Sequence, residues 1–273
     1  NTIDFLSNEQ GYQIKMVQED ILSIEGQLVN SDYPINMPEG WFLTSYLHQE
    51  YADAELMMAP IIDDLIILKS YSGDVYWPFF GINNIENMTP GWGYYTKTDG
   101  AVTLSYPDLE SGRLGFEDIS FLSLKYNKPI NTGNNMTIGI PNDVWLNKPK
   151  EGDEIAIFDQ SGLLVGNDKY REEGSAITIW GDDQLTDIKD GLYVGEKFIV
   201  KLFRAHEDII ETIQVHRWEE GSGSYNINGI SIIGAISQDI DPVRELIKIT
   251  DVLGREIKDK INGTMIYIYN DGS

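Results

Sequence analysis

Apolar and polar positions alternate along most of this chain with a period of two, as expected of half-buried β-strands. Residues 11–17 and 21–26 alternate in this way, with Gln18, Glu19 and Asp20 as the turn between them. Residues 65–68 form a continuous Leu-Ile-Ile-Leu run, short and β-branched, as a strand buried on both faces requires. Ser72, Gly73 and Asp74 turn that run into a further strand over 75–77. Beyond it the pattern predicts strands over 136–140, 154–158, 163–165, 176–180, 198–203, 209–216 and 230–233, with Gly, Asn and Asp turns between nearly all of them. Two final alternating runs, 246–249 and 266–269, read as a pair joined through a glycine-containing turn. Helical periodicity is nearly absent. Asp53 is placed to cap one short helix over 54–59. Pro60 falls within its span, and a proline past the first turn costs about 3 kcal/mol, so the helix must end or break there. The fold class expected is mainly β: tandem β-sandwich-like modules with one short helix in the first complete module.

One stretch occurs almost twice. Ile3, Leu6, Ser7, Gly11, Tyr12 and Lys15 match Ile85, Met88, Thr89, Gly93, Tyr94 and Lys97 without a gap, and Leu22-Ser23 then matches Leu104-Ser105. An echo at flanking apolar positions as well as at Gly-Tyr exceeds what turn chemistry alone produces. The organisation expected is therefore the end of a first repeat module over 1–29 and a second, aromatic-rich module over 30–106. A linker over 107–118, a β-sandwich (Ig-like) module over 119–238 and a closing β segment over 239–273 complete it. The chain begins at Asn1, without Met, an opening expected of a processed chain or of the tail of a longer modular one.

Charge narrows the function classes. With 20 Lys and Arg against 44 Asp and Glu, the net charge is −24. Such a surface repels phosphate backbones and anionic lipid, so neither nucleic acid nor a membrane surface is an expected partner. It suits an exported protein that must stay soluble, or one that takes up divalent cations; a solvated acidic face with no ligand is the simpler account. The absence of cysteine excludes disulfides and thiolate metal sites. No apolar run approaches the roughly 20 residues of a membrane span.

Three parts of the chain resemble modules of large secreted proteins of the Bacteroidetes. Gly40-Trp41, residues 54–62, Ile66-Ile-Leu-Lys69, Tyr76-Trp77-Pro78 and Gly93-Tyr94 are similar to a repeat module carried in tandem by those proteins. Residues 152–166 followed by 177–183 resemble a second recurring module, which implies a sandwich domain and no catalytic residue. Asp251-Val-Leu-Gly-Arg-Glu256, with Gly263 and Ile266-Tyr-Ile-Tyr269, resembles the C-terminal sorting domain of type IX secretion cargo. Through that resemblance Asp251, Leu253, Gly254, Arg255 and Gly263 are its motif residues, and the type IX machinery is an implied partner.

Candidate chemistry is sparse. His48, His206 and His216 lie at no zinc-site spacing, and neither a nucleophile elbow nor a phosphate-cradling glycine loop occurs. Accidental carboxylate pairs are inevitable among 44 acidic residues, so they argue for no hydrolase. Two binding constellations remain. Asp182, Asp183, Asp187 and Asp190 lie in one acidic loop able to offer hard oxygens to calcium, the sole cofactor considered. The second is the aromatic density of residues 41–95, where rings can form core or can stack on sugars and partner proteins. Trp77, Phe79, Phe80 and Trp92 are the candidate ligand-contact residues, because they sit at turns.

The function expected is that of a secreted or cell-surface modular β protein in adhesion or extracellular assembly, such as a surface-fibre subunit. Other protein subunits or cell-surface glycans are its expected partners, and no enzyme is expected within these residues. The alternative is a glycan-binding appendage of a larger secreted enzyme whose catalytic domain lies upstream of Asn1.

Overall fold

A computed structural model of the chain describes residues 6–15, 21, 23, 25–109, 124–240, 246–250, 255 and 266–269. The first unit is built from β1 (Ile35–Met37), β2 (Gly40–Ser45), β3 (Ala52–Asp53), α1 (Ala54–Met58), β4 (Leu65–Lys69), β5 (Val75–Trp77), β6 (Ile82–Asn83), β7 (Asn87–Met88), β8 (Gly93–Thr98) and β9 (Val102–Leu104). Five of these form a sheet in the order β2-β8-β4-β5-β6, and the short strands pair as β1 with β9 and β3 with β7. Helix α1 starts where its cap predicts, the Asp53 carboxylate accepting from the Leu56 N–H at 2.9 Å. It stops after five residues and passes into a 3-10 turn over Ala59–Ile61 that accommodates Pro60. Met57 and Met58 of α1 close the unit's core over Ile35, Tyr94, Leu104 and Tyr106, all buried.

The second unit is one seven-stranded sheet of β10 (Asn135–Ile140), β11 (Glu154–Asp159), β12 (Leu164–Lys169), β13 (Ser175–Trp180), β14 (Phe198–Arg204), β15 (Ile209–Glu220) and β16 (Ile230–Ile240). Its order is β12-β11-β14-β15-β16-β10-β13, antiparallel except for β10 beside β16. The sheet curls until its two end strands touch. A methyl group on Gly166 of β12 would lie 2.5 Å from the Thr178 carbonyl oxygen of β13, so only glycine permits the approach. Ile138, Ile155, Ile157, Val165, Ile177, Ile179 and Leu202 fill the interior of this sandwich-like curl. A further pair, β17 (Leu246–Thr250) and β18 (Ile266–Tyr269), is antiparallel and separate from the large sheet.

The molecule is thus mainly β, with a single short α-helix among the described residues. Two expectations need correction. Of the strands expected over 11–17 and 21–26, residues 11–15 and 25–26 are not strands; this segment meets β2 through the Gln10–Thr44 bridge and the hydrogen bond from the Gly11 N–H to the Leu43 carbonyl. Strands β15 and β16 run well past the 216 and 233 expected for them. Bulges between Val215 and Glu220 break the alternation of side chains there, so the period-two signal fades although the ladder continues. Of the expected linker, residues 107–109 carry no regular structure, and the remainder lies outside the described residues.

A third apolar cluster joins the units. Ile67, Val75, Trp77 and Ile82 of the first pack against Ala176, Ile230 and Ile232 of the second. Polar bonds flank this seam: Thr178 Oγ1 donates to the Gly73 carbonyl at 2.6 Å, and buried Lys69 donates to Asn135 Oδ1.

Candidate functional site

Strand β8 alternates, turning Tyr94, Thr96 and Thr98 into the core and leaving Gly93, Tyr95 and Lys97 half exposed. Before it, the turn through Gly91 (φ +79°) projects Trp92, whose backbone is held on both sides. Its N–H donates to the Thr89 carbonyl and its carbonyl accepts from the Tyr46 N–H, both at 3.2 Å. The Trp92 ring remains 41% exposed.

The residues around 6–15 cross the edge of β2 and close one side of a cleft beside this turn. The Gly11 N–H donates to the Leu43 carbonyl at 2.7 Å, and the Ser45 hydroxyl donates to the Asn8 carbonyl. The approach is close because both partners are glycine: a methyl group on Gly11 would lie 3.1 Å from the Gly93 Cα. The two halves of the sequence echo also share one hydrogen bond. Tyr12 Oη accepts from the Ser7 N–H at 2.7 Å, and Tyr94 Oη accepts from the Thr89 N–H at 2.7 Å.

The resulting cleft has a volume of about 300 Å³ and is lined by Tyr12, Gln13, Ile14, Leu43, Tyr71, Trp92, Gly93 and Tyr95. Four aromatic rings line it, with the Gln13 amide at its edge. Tyr95 Oη donates to Gln13 Oε1 at 3.1 Å, which fixes the orientation of that amide. Burial pushes the Tyr95 phenol upward, so it stays a donor at any physiological pH. A concave surface of rings with a few placed polar groups is the composition of small-ligand sites. It can stack the apolar face of a sugar ring and hydrogen-bond the hydroxyls at its edge.

Of the predicted contact residues, Trp92 lies in this cleft and the others lie elsewhere. Trp77 is 2% exposed, a core residue of the seam, so its ring offers no face to a ligand. The turn placement of Trp77 at the end of β5 was misleading because the second unit covers that end. Phe80 is half buried edge-on to Trp77, with ring centroids 4.8 Å apart. Phe79 is 85% exposed on the 3-10 turn Pro78–Phe80 and is not among the residues lining the cleft. Tyr71 and Tyr95 belong to the aromatic stretch 41–95 but are not among the four expected contact residues. Tyr12 falls outside that stretch, and its Gly-Tyr echo is the signal that marks it.

The acidic loop uses its carboxylates on itself. Asp190 Oδ1 accepts from the Asp183 N–H at 2.9 Å, Asp182 Oδ1 from the Asp190 N–H at 3.0 Å, and Asp183 Oδ1 from the Leu185 N–H at 3.1 Å. Lys15 pairs with Asp183 and, with the Leu185 N–H, holds its carboxyl below the usual range. Asp187 is exposed. Among the described residues no three His, Asp or Glu side chains are grouped to hold a metal ion. Of the sorting-motif residues, Arg255 is exposed, whereas Asp251, Leu253, Gly254 and Gly263 lie outside the described residues. The histidines are scattered: His48 is buried with Nε2 3.0 Å from the Pro107 carbonyl, His206 is exposed in a turn, and His216 contacts Ser237 on β16.

Comparison with protein-family models, with curated proteins and with solved structures returns no match for this chain. No helix among the described residues is long and apolar enough to cross a membrane.

Proposed function

We propose that this chain belongs to a secreted, cell-surface β protein and acts in adhesion, its aromatic cleft gripping cell-surface glycans. The observation that carries this reading is the set of four rings, Tyr12, Tyr71, Trp92 and Tyr95, around one open cleft with Gln13 at its edge. Exposed aromatic faces at a protein surface are unfavourable unless something covers them, and sugars present flat C–H faces to cover them. Weak individual contacts of this kind add up when such units are strung in series, through avidity. Export by a type IX route rests on the resemblance of Asp251-Val-Leu-Gly-Arg-Glu256, Gly263 and Ile266-Tyr-Ile-Tyr269 to the sorting domain of type IX cargo.

A glycan array on the full chain tests the binding reading. Binding is expected for the parent and lost in Trp92→Ala, with an unchanged melting temperature in the variant. Equal array signals from parent and variant sink it. Fusion of residues 239–273 to a reporter in a type IX-competent bacterium tests the export reading, and a reporter retained inside the cell rejects it.

A further inference from the structure

A second depression opens on the other side of Tyr71. It has a volume of about 250 Å³ and is walled by both units, with Asp74 and Asn84 from the first and Lys128, Asn167 and Asp168 from the second. Tyr71, 59% exposed, is the one residue that lines both this crevice and the aromatic cleft. The two hollows differ in chemistry. The cleft is ringed by aromatic side chains, whereas the crevice brings amides, carboxylates and hydroxyls into a lining that is still mostly apolar.

Their shared rim is wired together by hydrogen bonds. Tyr95 Oη donates to Gln13 Oε1 at 3.1 Å, and Gln13 Nε2 donates to the Gly133 carbonyl at 3.3 Å. The Gly133 N–H donates to Asn131 Oδ1 at 2.9 Å, and Asn131 Nδ2 donates to the Tyr71 carbonyl at 2.7 Å. The backbone under Tyr71 is therefore positioned from the cleft side and from the sandwich side at once.

One group in the crevice wall is incomplete. Asn167 is 9% exposed, and its amide nitrogen donates to Glu154 Oε1 at 2.7 Å and to the Tyr126 carbonyl at 3.2 Å. Its carbonyl oxygen has no hydrogen-bond partner among the described residues. A buried acceptor without a donor is destabilising; this oxygen is closed to solvent, so a ligand hydroxyl supplies the missing bond only after a small shift of the Asn167 side chain toward the crevice. Asp168 beside it has its carboxyl pushed upward by burial, against the pull of Arg171, 3.9 Å away.

We propose that the cleft and the crevice are two subsites of one groove for a neutral, β-linked oligosaccharide lying across Tyr71. Rings of the chain stack in the aromatic cleft, and the next sugar places its hydroxyls against Asn84, Lys128, Asn167 and Asp168. Equatorial β-linkages leave both faces of each ring flat and the chain extended, which suits an open groove more than a deep socket. Neutrality follows from charge: the chain carries −24, and the crevice carboxylates Asp74 and Asp168 are met by Lys128 in the lining and by Arg171, 3.9 Å from Asp168, so no excess of positive charge is there to hold a uronic or sialic acid.

This inference rests on the glycan reading of the cleft, and the test separates the two. Calorimetric titration of the full chain uses cello- and chito-oligosaccharides from disaccharide to hexasaccharide. Affinity is expected to rise roughly tenfold or more with length as the second subsite fills. The double variant Lys128→Ala/Asp168→Asn is expected to keep disaccharide binding and lose the gain with length. Length-independent binding in the parent, or a length gain that survives in the folded double variant, overturns the two-subsite groove and leaves the cleft reading standing. Absence of binding to every member of both series overturns both.

Discussion

The Trp77 ring is seated on the backbone of Gly139: a methyl group at position 139 would lie 3.0 Å from Trp77 Cζ3. Trp77 belongs to the first unit and Gly139 to the second, so this contact of the seam depends on the second unit's strand β10 having no side chain at that point. Trp77→Ala is expected to cost about 3–5 kcal/mol by leaving a cavity. Gly139→Val is expected to cost about 1–3 kcal/mol by overpacking the same spot. Denaturant unfolding checks both. The two units melt together in the parent and separate into two transitions in Trp77→Ala; a single transition with unchanged midpoint contradicts the seam described here.

Lys69 is a buried cation at the same seam, 2% exposed, with its ammonium bonded to Asn135 and 5.6 Å from the Trp41 ring. Burial pulls it down from 10.5 to about 7. Between those values the unfolded chain holds a proton that the folded chain lacks, so stability rises as pH increases from about 7 to 10.5 and is lower below that window. Lys69→Met is expected to remove this slope and to stabilise the protein at neutral pH by about 1–4 kcal/mol, as buried-charge replacements do. Thermal melts of both proteins from pH 6 to about 10 decide it; parallel curves refute the buried-cation account.

Arg204 anchors the second unit from inside. At 3% exposure it donates Nε and Nη2 to the two oxygens of Glu211, at 3.0 and 3.1 Å. Its remaining donors reach the carbonyls of Lys148 and Asn147. Removing one partner of such a pair strands the other, so Arg204→Ala is expected to cost about 3–5 kcal/mol. Asp153 also lies 3.5 Å from Arg204 Nη1, so Arg204→Ala/Glu211→Ala, which removes the bidentate pair but leaves that carboxylate, should still cost less than the sum of the single variants. An additive double-mutant cycle argues against a coupled pair.

Asp159 is fully buried at the turn after β11. Burial alone raises its carboxyl, but Lys189, the Ser161 hydroxyl and N–H, and the Leu163 N–H outweigh that and hold it at about 2. Its contribution is present above the unfolded value of 3.8 and is lost as pH falls toward 2. Asp159→Asn is expected to flatten the acid limb of the melting curve across that range. An acid limb as steep as the parent's shows that other carboxylates govern it.

The strands were legible where one face is buried and the other wet, as in β8, and where both are buried, as in β10, β11 and β13. The Asp53 cap and the break at Pro60 were legible because both act within a single turn. Residues 11–15 were misread because alternation alone does not supply a pairing partner. The ligand-contact residues were only partly legible. Trp92 is exposed because of its own turn, which is local, but Trp77 is covered by Ala176, Ile230 and Ile232, which are far away in the chain.

Local chemistry, written along the chain, therefore determined the β class, the one short helix, and the Gly-Tyr echo whose two tyrosines accept equivalent hydrogen bonds. Tertiary structure alone decided which rings face water, that Lys69 lies in the seam, and that Tyr12, Tyr71, Trp92 and Tyr95 meet around one cleft. The reason is physical. Periodicity and turn residues act over a few positions, whereas burial and the meeting of side chains depend on contacts between residues far apart in the chain, such as the hydrogen bond from the Gln13 amide to the Gly133 carbonyl.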